Sequence, residues 1–160
     1  MKKSCLLNNK LTKTIISIFL FQIMSCSSID GEVSKLVSSM TLEEKIGQMT
    51  QVDYRYLADK SDIKKYFLGS ILSGGGSTPP TNQPSSWVEL YNGFQQEALK
   101  TRLKIPLIYG IDAVHGHNNV LGATMFPHNI GLGCMDDKAL VQEIAAATAA
   151  EVKATGLDWT

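Results

Sequence analysis

Apolar residues along this chain follow two rhythms. Val33, Leu36, Val37 and Met40 recur at helical spacing, and so do Leu42, Ile46 and Met49. Thr41 and Glu44 have capping-box spacing and open the second of these helices. A short helix capped by Ser61 carries Ile63 and Phe67 until Gly69 breaks the period. Trp87, Leu90, Tyr91, Phe94 and Ala98 share one face of a helix that Ser85 or Ser86 opens. Asp136 or Asp137 opens an alanine-rich helix with Leu140, Val141, Ile144, Thr148 and Val152 on one side, and Gly156 ends it. The second rhythm is short and extended. Ser70–Ser73 and residues 105–111 are too brief for helices, the latter is β-branched, and both read as strands. Pro106 fits the first residues of its strand, where a missing N–H costs least. Residues 157–160 begin a further strand.

The order is helix, helix, short helix, strand, helix, strand, helix and the start of a strand, a βα repeat that predicts an α/β fold with parallel strands. A closed eight-stranded barrel takes about 250 residues, and two strands with the start of a third make up roughly a third of its eight. Periodicity is equally compatible with a small open sheet. The strand at 105–111 ends abruptly in Asp112 and a long polar, glycine-bearing loop. Carboxyl ends of parallel strands face the ligand side, which makes Asp112, His115 and His117 site candidates. Gly74, Gly75 and Gly76 end the earlier strand and read in isolation as a flexible connector.

The amino-terminal residues change the picture. Lys2, Lys3, Lys10 and Lys13 precede an apolar run over residues 15–24, too short to span a bilayer comfortably and shaped like the core of a signal peptide. Ile23, Met24, Ser25 and Cys26 resemble a bacterial lipobox, so residues 1–26 read as a lipoprotein-type signal and Cys26 as the lipidation site. An ordinary cleaved signal and an uncleaved anchor are the alternatives. Residues 27–32 read as a polar tether and 33–160 as the domain. The location expected is the periplasm or outer membrane of a bacterium, held through a lipid on Cys26.

Formal charge balances at 15 basic and 15 acidic residues, and the leader carries four lysines and no acid, so the remainder is mildly acidic. Arg55 and Arg102 are the only arginines, which leaves no basic stripe for nucleic acid. Of three cysteines, Cys5 and Cys26 fall in the leader. Cys134 then has no internal disulfide partner and is expected to be a small core residue. His115, His117 and His128 prompt a metal reading, but one intervening residue is not diagnostic and no fourth ligand is evident. No metal or cofactor is expected. A histidine in a tight polar loop more often bonds backbone and fixes loop shape.

MTLEEKIGQM at 40–49, IPLIYGIDAVHGHNNV at 105–120, GATMFPHNIGLG at 122–133 and AAATAAEVKATGLDWT at 145–160 resemble glycoside hydrolase family 3, in that family's order and spacing. The resemblance implies a (β/α)8-type first domain, here a partial barrel ending at about the start of its third strand. It also implies release of terminal β-D-glucosyl residues from the non-reducing end by a retaining two-carboxylate mechanism. Asp112 falls on the family's substrate-binding aspartate in the GIDAVHG motif, which grips hydroxyls of the terminal sugar. His115 and His117 line the pocket or shape its loop. The nucleophilic aspartate and the acid/base glutamate implied by the resemblance lie beyond residue 160.

The expected protein is therefore the amino-terminal part of an exported β-glucosidase-like enzyme acting on a β-linked glucoside or oligosaccharide. As an isolated polypeptide it is expected to be inactive and poorly folded, because few parallel strands leave open edges and bare helix faces. The competing expectation is a non-catalytic carbohydrate-binding or interaction lipoprotein that retains part of the barrel. A histidine-metal hydrolase is a third.

Overall fold

The computed structural model describes residues 28–160, so the leader and Cys26 lie outside the described residues. Two units divide between Ser39 and Met40. The described part of the first is helix α1, Ile29–Ser39, which has no buried residue. It begins earlier than Val33, and residues 29–32 form its first turn. Ser28 explains the early start, because its carbonyl and its Oγ both accept from Gly31 N–H, and Asp30 and Glu32 suit the positive end of the helix dipole.

The second unit opens with α2, Leu42–Gln48, and the capping box expected there is formed. Glu44 N–H donates to Thr41 Oγ1 at 3.3 Å and Thr41 N–H donates to Glu44 Oε2 at 2.9 Å. The same carboxylate receives Arg102 through Nε at 3.1 Å and Nη2 at 2.6 Å, across 58 residues of sequence. Strand β1, Gln51–Asp53, has no counterpart in the pattern above; three residues are too few to show alternation, and pairing with a neighbour makes them a strand. Helix α3, Asp62–Lys65, begins after Ser61, whose side chain caps nothing; Asp62 instead accepts from Ala58 and Asp59 N–H. Phe67 lies past this helix with φ 55°, in a turn that brings its carbonyl to Gln48 Nε2 at 3.1 Å. That turn presses on α2 at Gly47, where any Cβ would run into the Tyr66 and Phe67 carbonyls.

Strand β2, Ser70–Ser73, stands as expected, and α4, Pro84–Ala98, starts a residue or two early because proline is suited to the first helical position. Strand β3 is Ile108–Ile111, a four-residue α5 spans Asn129–Leu132, and α6 covers Lys138–Ala154 with Asp137 as its cap. Asp137 Oδ1 accepts from Leu140 N–H at 3.0 Å, and Gly156 takes φ 88° just past the last turn.

The strands are parallel in the order β1-β2-β3, and Trp159 bridges in parallel to Gly110 on the far side of β3. Register places Val52, Ile71 and Tyr109 in one row and Asp53, Leu72 and Gly110 in the next. Alternate residues point to opposite faces. One face therefore carries Ile71, Ser73, Tyr109 and Ile111, all buried, and packs with Ile63, Trp87, Phe94 and Ala98 from α3 and α4. Phe94 and Tyr109 meet edge-on at 5.4 Å, and Ser73 and Tyr109 share a hydroxyl hydrogen bond of 2.7 Å. Helices cover that face. The other face holds Asp53, Leu72, Ile108 and Gly110, and Ile108 is 54% exposed.

Cys134 is exposed, contrary to the expectation of a core position. It follows the end of α5, where its thiol reaches only Ile130 O at 3.5 Å, so small size alone did not earn it a place among the packed side chains. The apolar side of α6 is mostly open, with Val152 its sole buried residue and Leu140 41% exposed. Among the described residues no helix is long and apolar enough to cross a membrane.

Candidate functional site

Asp112 is the residue after β3, and its N–H donates to Ser73 O at 3.2 Å, extending the ladder by one step. Two residues beyond Gly110, its side chain emerges on the helix-free face at the carboxyl end of the sheet, exposed. The neighbouring position on the middle strand is Gly74. A Cβ there would lie 3.6 Å from Asp112 Oδ2 and 3.1 Å from Asp53 Oδ2, so one glycine separates two carboxylates that share a face.

Asp53 is held on all sides. Oδ1 accepts from Arg55 N–H at 2.9 Å and Arg55 Nε at 3.1 Å, while Oδ2 accepts from Arg55 Nη2 at 3.1 Å, Ser77 Oγ at 2.7 Å and Gly74 N–H at 3.3 Å. Burial pushes this carboxyl upward, but the hydrogen bonds from Arg55, Ser77 and Gly74 outweigh it and hold the group at about 2. Asp53 is thus a permanent anion matched by a permanent cation. Ser77 N–H closes a turn onto Gly74 O at 2.9 Å, with Gly76 at φ 82°, and the Tyr54 hydroxyl donates to Thr78 O just beyond it. What reads in sequence as a loose glycine connector is a turn tied to β1.

The loop after Asp112 is fastened at several points. Ala113 N–H donates to Thr160 Oγ1 at 3.0 Å, and His115 N–H to Asn118 Oδ1 at 3.2 Å. His115 Nδ1 lies 3.1 Å from the Phe126 carbonyl, which can only accept, so Nδ1 carries the proton. Its ring stands edge-on to His128 at 4.9 Å, and His128 Nδ1 accepts from Ile130 N–H at 3.1 Å. His117 is 1% exposed and turns away from Asp112's face toward α6, with Nε2 2.8 Å from Thr155 Oγ1. That hydroxyl donates to Val152 O at 2.9 Å, so it accepts from His117 and places the imidazole proton on Nε2. Nδ1 is then an unpartnered buried acceptor. Burial pushes the His117 imidazole below its ordinary value. Asn82 completes the clamp, accepting from Trp87 Nε1 and donating to Asn119 O, both at 2.8 Å.

Asp112 therefore stands on a braced loop, and His115 and His117 act as its braces through a carbonyl and a threonine. The three histidines do not converge, and among the described residues no group of three His, Cys, Asp or Glu side chains is placed to hold a metal ion. An apolar cleft of about 410 Å³ runs along α6, lined by Ala113, Leu132, Val141, Ile144, Thr148 and Thr160. It presents no charged group, and sugar hydroxyls would find few partners there. Sequence reasoning missed Asp53, Arg55 and Ser77. The only trace of them is an acid two residues before an arginine, which is common in any chain.

Residues 41–160 match the glycosyl hydrolase family 3 N terminal domain. A lysosomal beta glucosidase of Dictyostelium discoideum is 37% identical over 151 residues, an alignment that covers 83% of this chain and 18% of that protein. A periplasmic beta-glucosidase of Salmonella typhimurium is 30% identical over 135 residues, covering 82% and 16% respectively. The crystal structure of an exo-1,3/1,4-beta-glucanase from a Pseudoalteromonas species superposes with a TM-score of 0.75 at 40% identity, covering 84% of this chain and 17% of that one. The chain spans less than a quarter of the length of these relatives. With its parallel α/β sheet and a family match over three quarters of its length, the chain belongs to glycosyl hydrolase family 3, through that family's N-terminal domain.

Proposed function

We propose that this chain is the amino-terminal part of a (β/α)8-type barrel in an exported β-glucosidase-like enzyme, lipid-anchored at Cys26, and that Asp112 grips the terminal sugar. Substrate is a β-linked glucoside or oligosaccharide, cut at its non-reducing end. Hydrolysis proceeds with retention, through a nucleophile and an acid/base carboxyl about 5 to 5.5 Å apart, supplied by sequence beyond residue 160.

The observation that carries this reading is the placement of Asp112 on the helix-free face, at the carboxyl end of parallel strands that follow one another in sequence order. A doubly wound sheet reverses its order and covers both faces with helices; a barrel adds each strand beside the last and keeps its helices outside. Trp159 arriving beside Gly110 continues that progression. An ionised carboxylate offers two acceptor oxygens to adjacent sugar hydroxyls, each bond contributing about 1.5 to 3 kcal/mol. Loss of both predicts that Asp112→Ala in the full-length enzyme lowers kcat/KM on an aryl β-glucoside between about a hundredfold and ten-thousandfold. Turnover close to that of the native enzyme would overturn the assignment.

A further inference from the structure

We propose that Asp53 is a positioning residue for Asp112: through the turn at Gly74 to Ser77 it fixes the wall against which the sugar-binding carboxylate rests. The inference rests on the role given to Asp112 above and extends it to residues on two other strands.

The argument starts from the three strand ends. Asp53 ends β1, Gly74 follows β2 and Asp112 follows β3, all on the helix-free face. Asp112 has a backbone tie to β2 through Ser73 O, so the position of the β2 terminus sets the position of the acid. That terminus is in turn held by Asp53 Oδ2, which binds Gly74 N–H at 3.3 Å and Ser77 Oγ at 2.7 Å. Ser77 is fully buried, so the hydroxyl has no water to fall back on.

Arg55 lets Asp53 do this beside a second carboxylate. Two bare carboxylates across a single glycine would repel one another and favour protonation or displacement of one. Arg55 grips Asp53 with two parallel N–H bonds, the strong geometry for this pair, and so neutralises it. Among the described residues no cation pairs with Asp112, which is left to accept hydrogen bonds from sugar hydroxyls. Gly74 keeps the gap open, because a methyl group there would crowd Asp53 Oδ2 at 3.1 Å.

The test is a double-mutant cycle in the full-length enzyme, read as kcat/KM on an aryl β-glucoside with thermal melting alongside. Asp53→Asn keeps the shape and removes the charge. It is expected to lower kcat/KM about tenfold or more in the native background and less than about twofold when Asp112 is already alanine, since a residue acting through Asp112 has nothing left to position. Ser77→Ala removes only the 2.7 Å tie and is expected to repeat the pattern at smaller size; it carries the test if Asp53→Asn does not fold. A lower melting temperature with unchanged kcat/KM, or an equal loss in both backgrounds, overturns the proposal. If Asp112→Ala itself turns over normally, it is the sugar-binding assignment that fails instead.

Discussion

At Gly110 the addition of a single methyl group should damage the sheet. It lies within β3, and the indole of Trp159 occupies the space its side chain would fill: a Cβ would collide with the six-membered ring and approach Nε1 to 2.7 Å. The ring has little room to retreat. Ile111 N–H donates to Trp159 O at 3.1 Å, Asp158 N–H donates to Tyr109 O at 2.8 Å, and Tyr109 N–H donates to Asp158 Oδ2 at 2.9 Å, so the backbone on both sides of the indole is pinned to β3. Overpacking of this kind costs about 1 to 3 kcal/mol. If residues 157–160 detach instead, the loss of five hydrogen bonds at about 1 kcal/mol each is the larger cost, so overpacking sets the figure. Urea unfolding of full-length Gly110→Ala, Trp159→Ala and the double variant measures it. The expected coupling is about 1 to 3 kcal/mol, with the alanine at 110 nearly harmless once the indole is gone. A cost under about 0.5 kcal/mol with Trp159 present, or the same cost in both backgrounds, would refute the reasoning.

Acid should weaken the protein through two groups. His117 is depressed by burial, so the folded state resists a proton that the unfolded chain accepts near pH 6.5; its contribution is complete above that pH and is lost as pH falls below it. His117→Gln, which retains a donor for Thr155, is expected to flatten the decline in melting temperature between pH 7.5 and 5; an unchanged slope would count against this. Asp53, held at about 2 against an ordinary 3.8, contributes at most about 2 kcal/mol, present above about pH 4 and lost as pH falls toward 2. Asp53→Asn should remove that lower step from an acid titration of stability. Cys26→Ser is expected to move the exported protein from the membrane fraction to the soluble periplasm, and unaltered fractionation would contradict the lipid anchor.

What the sequence made legible is what local chemistry determines. The cap at Thr41, the apolar face of α4 and the stop at Gly156 each depend on residues within one or two turns, and each stands where its pattern put it. Strand β2 is read from four residues because glycines bracket it. Strand β1 was invisible because its identity comes from Ser70, Ile71 and Leu72, nearly twenty positions on. The same distance hid Asp53, whose partners Gly74 and Ser77 join it only once β1 and β2 pair. Ser61 shows the converse: a good capping residue stands at the N-cap of α3 without a side-chain cap bond, while Asp62 ties down the preceding turn. Cys134 shows that a residue type's habit of burial says little when the surrounding turn faces water. The place of Asp112 just after β3 was legible because an apolar strand stopping at an acid is a local event.

The grip of Arg102 on Glu44 bears on the timing of synthesis. The carboxylate that caps α2 meets its guanidinium only after 58 further residues. At about 5 to 20 residues per second, the nascent chain carries Thr41 and Glu44 without that clasp for roughly three to twelve seconds. Early in that interval the first strand has a template on neither side, and the ribosome's pace decides how long the opening segment must wait for its fastening.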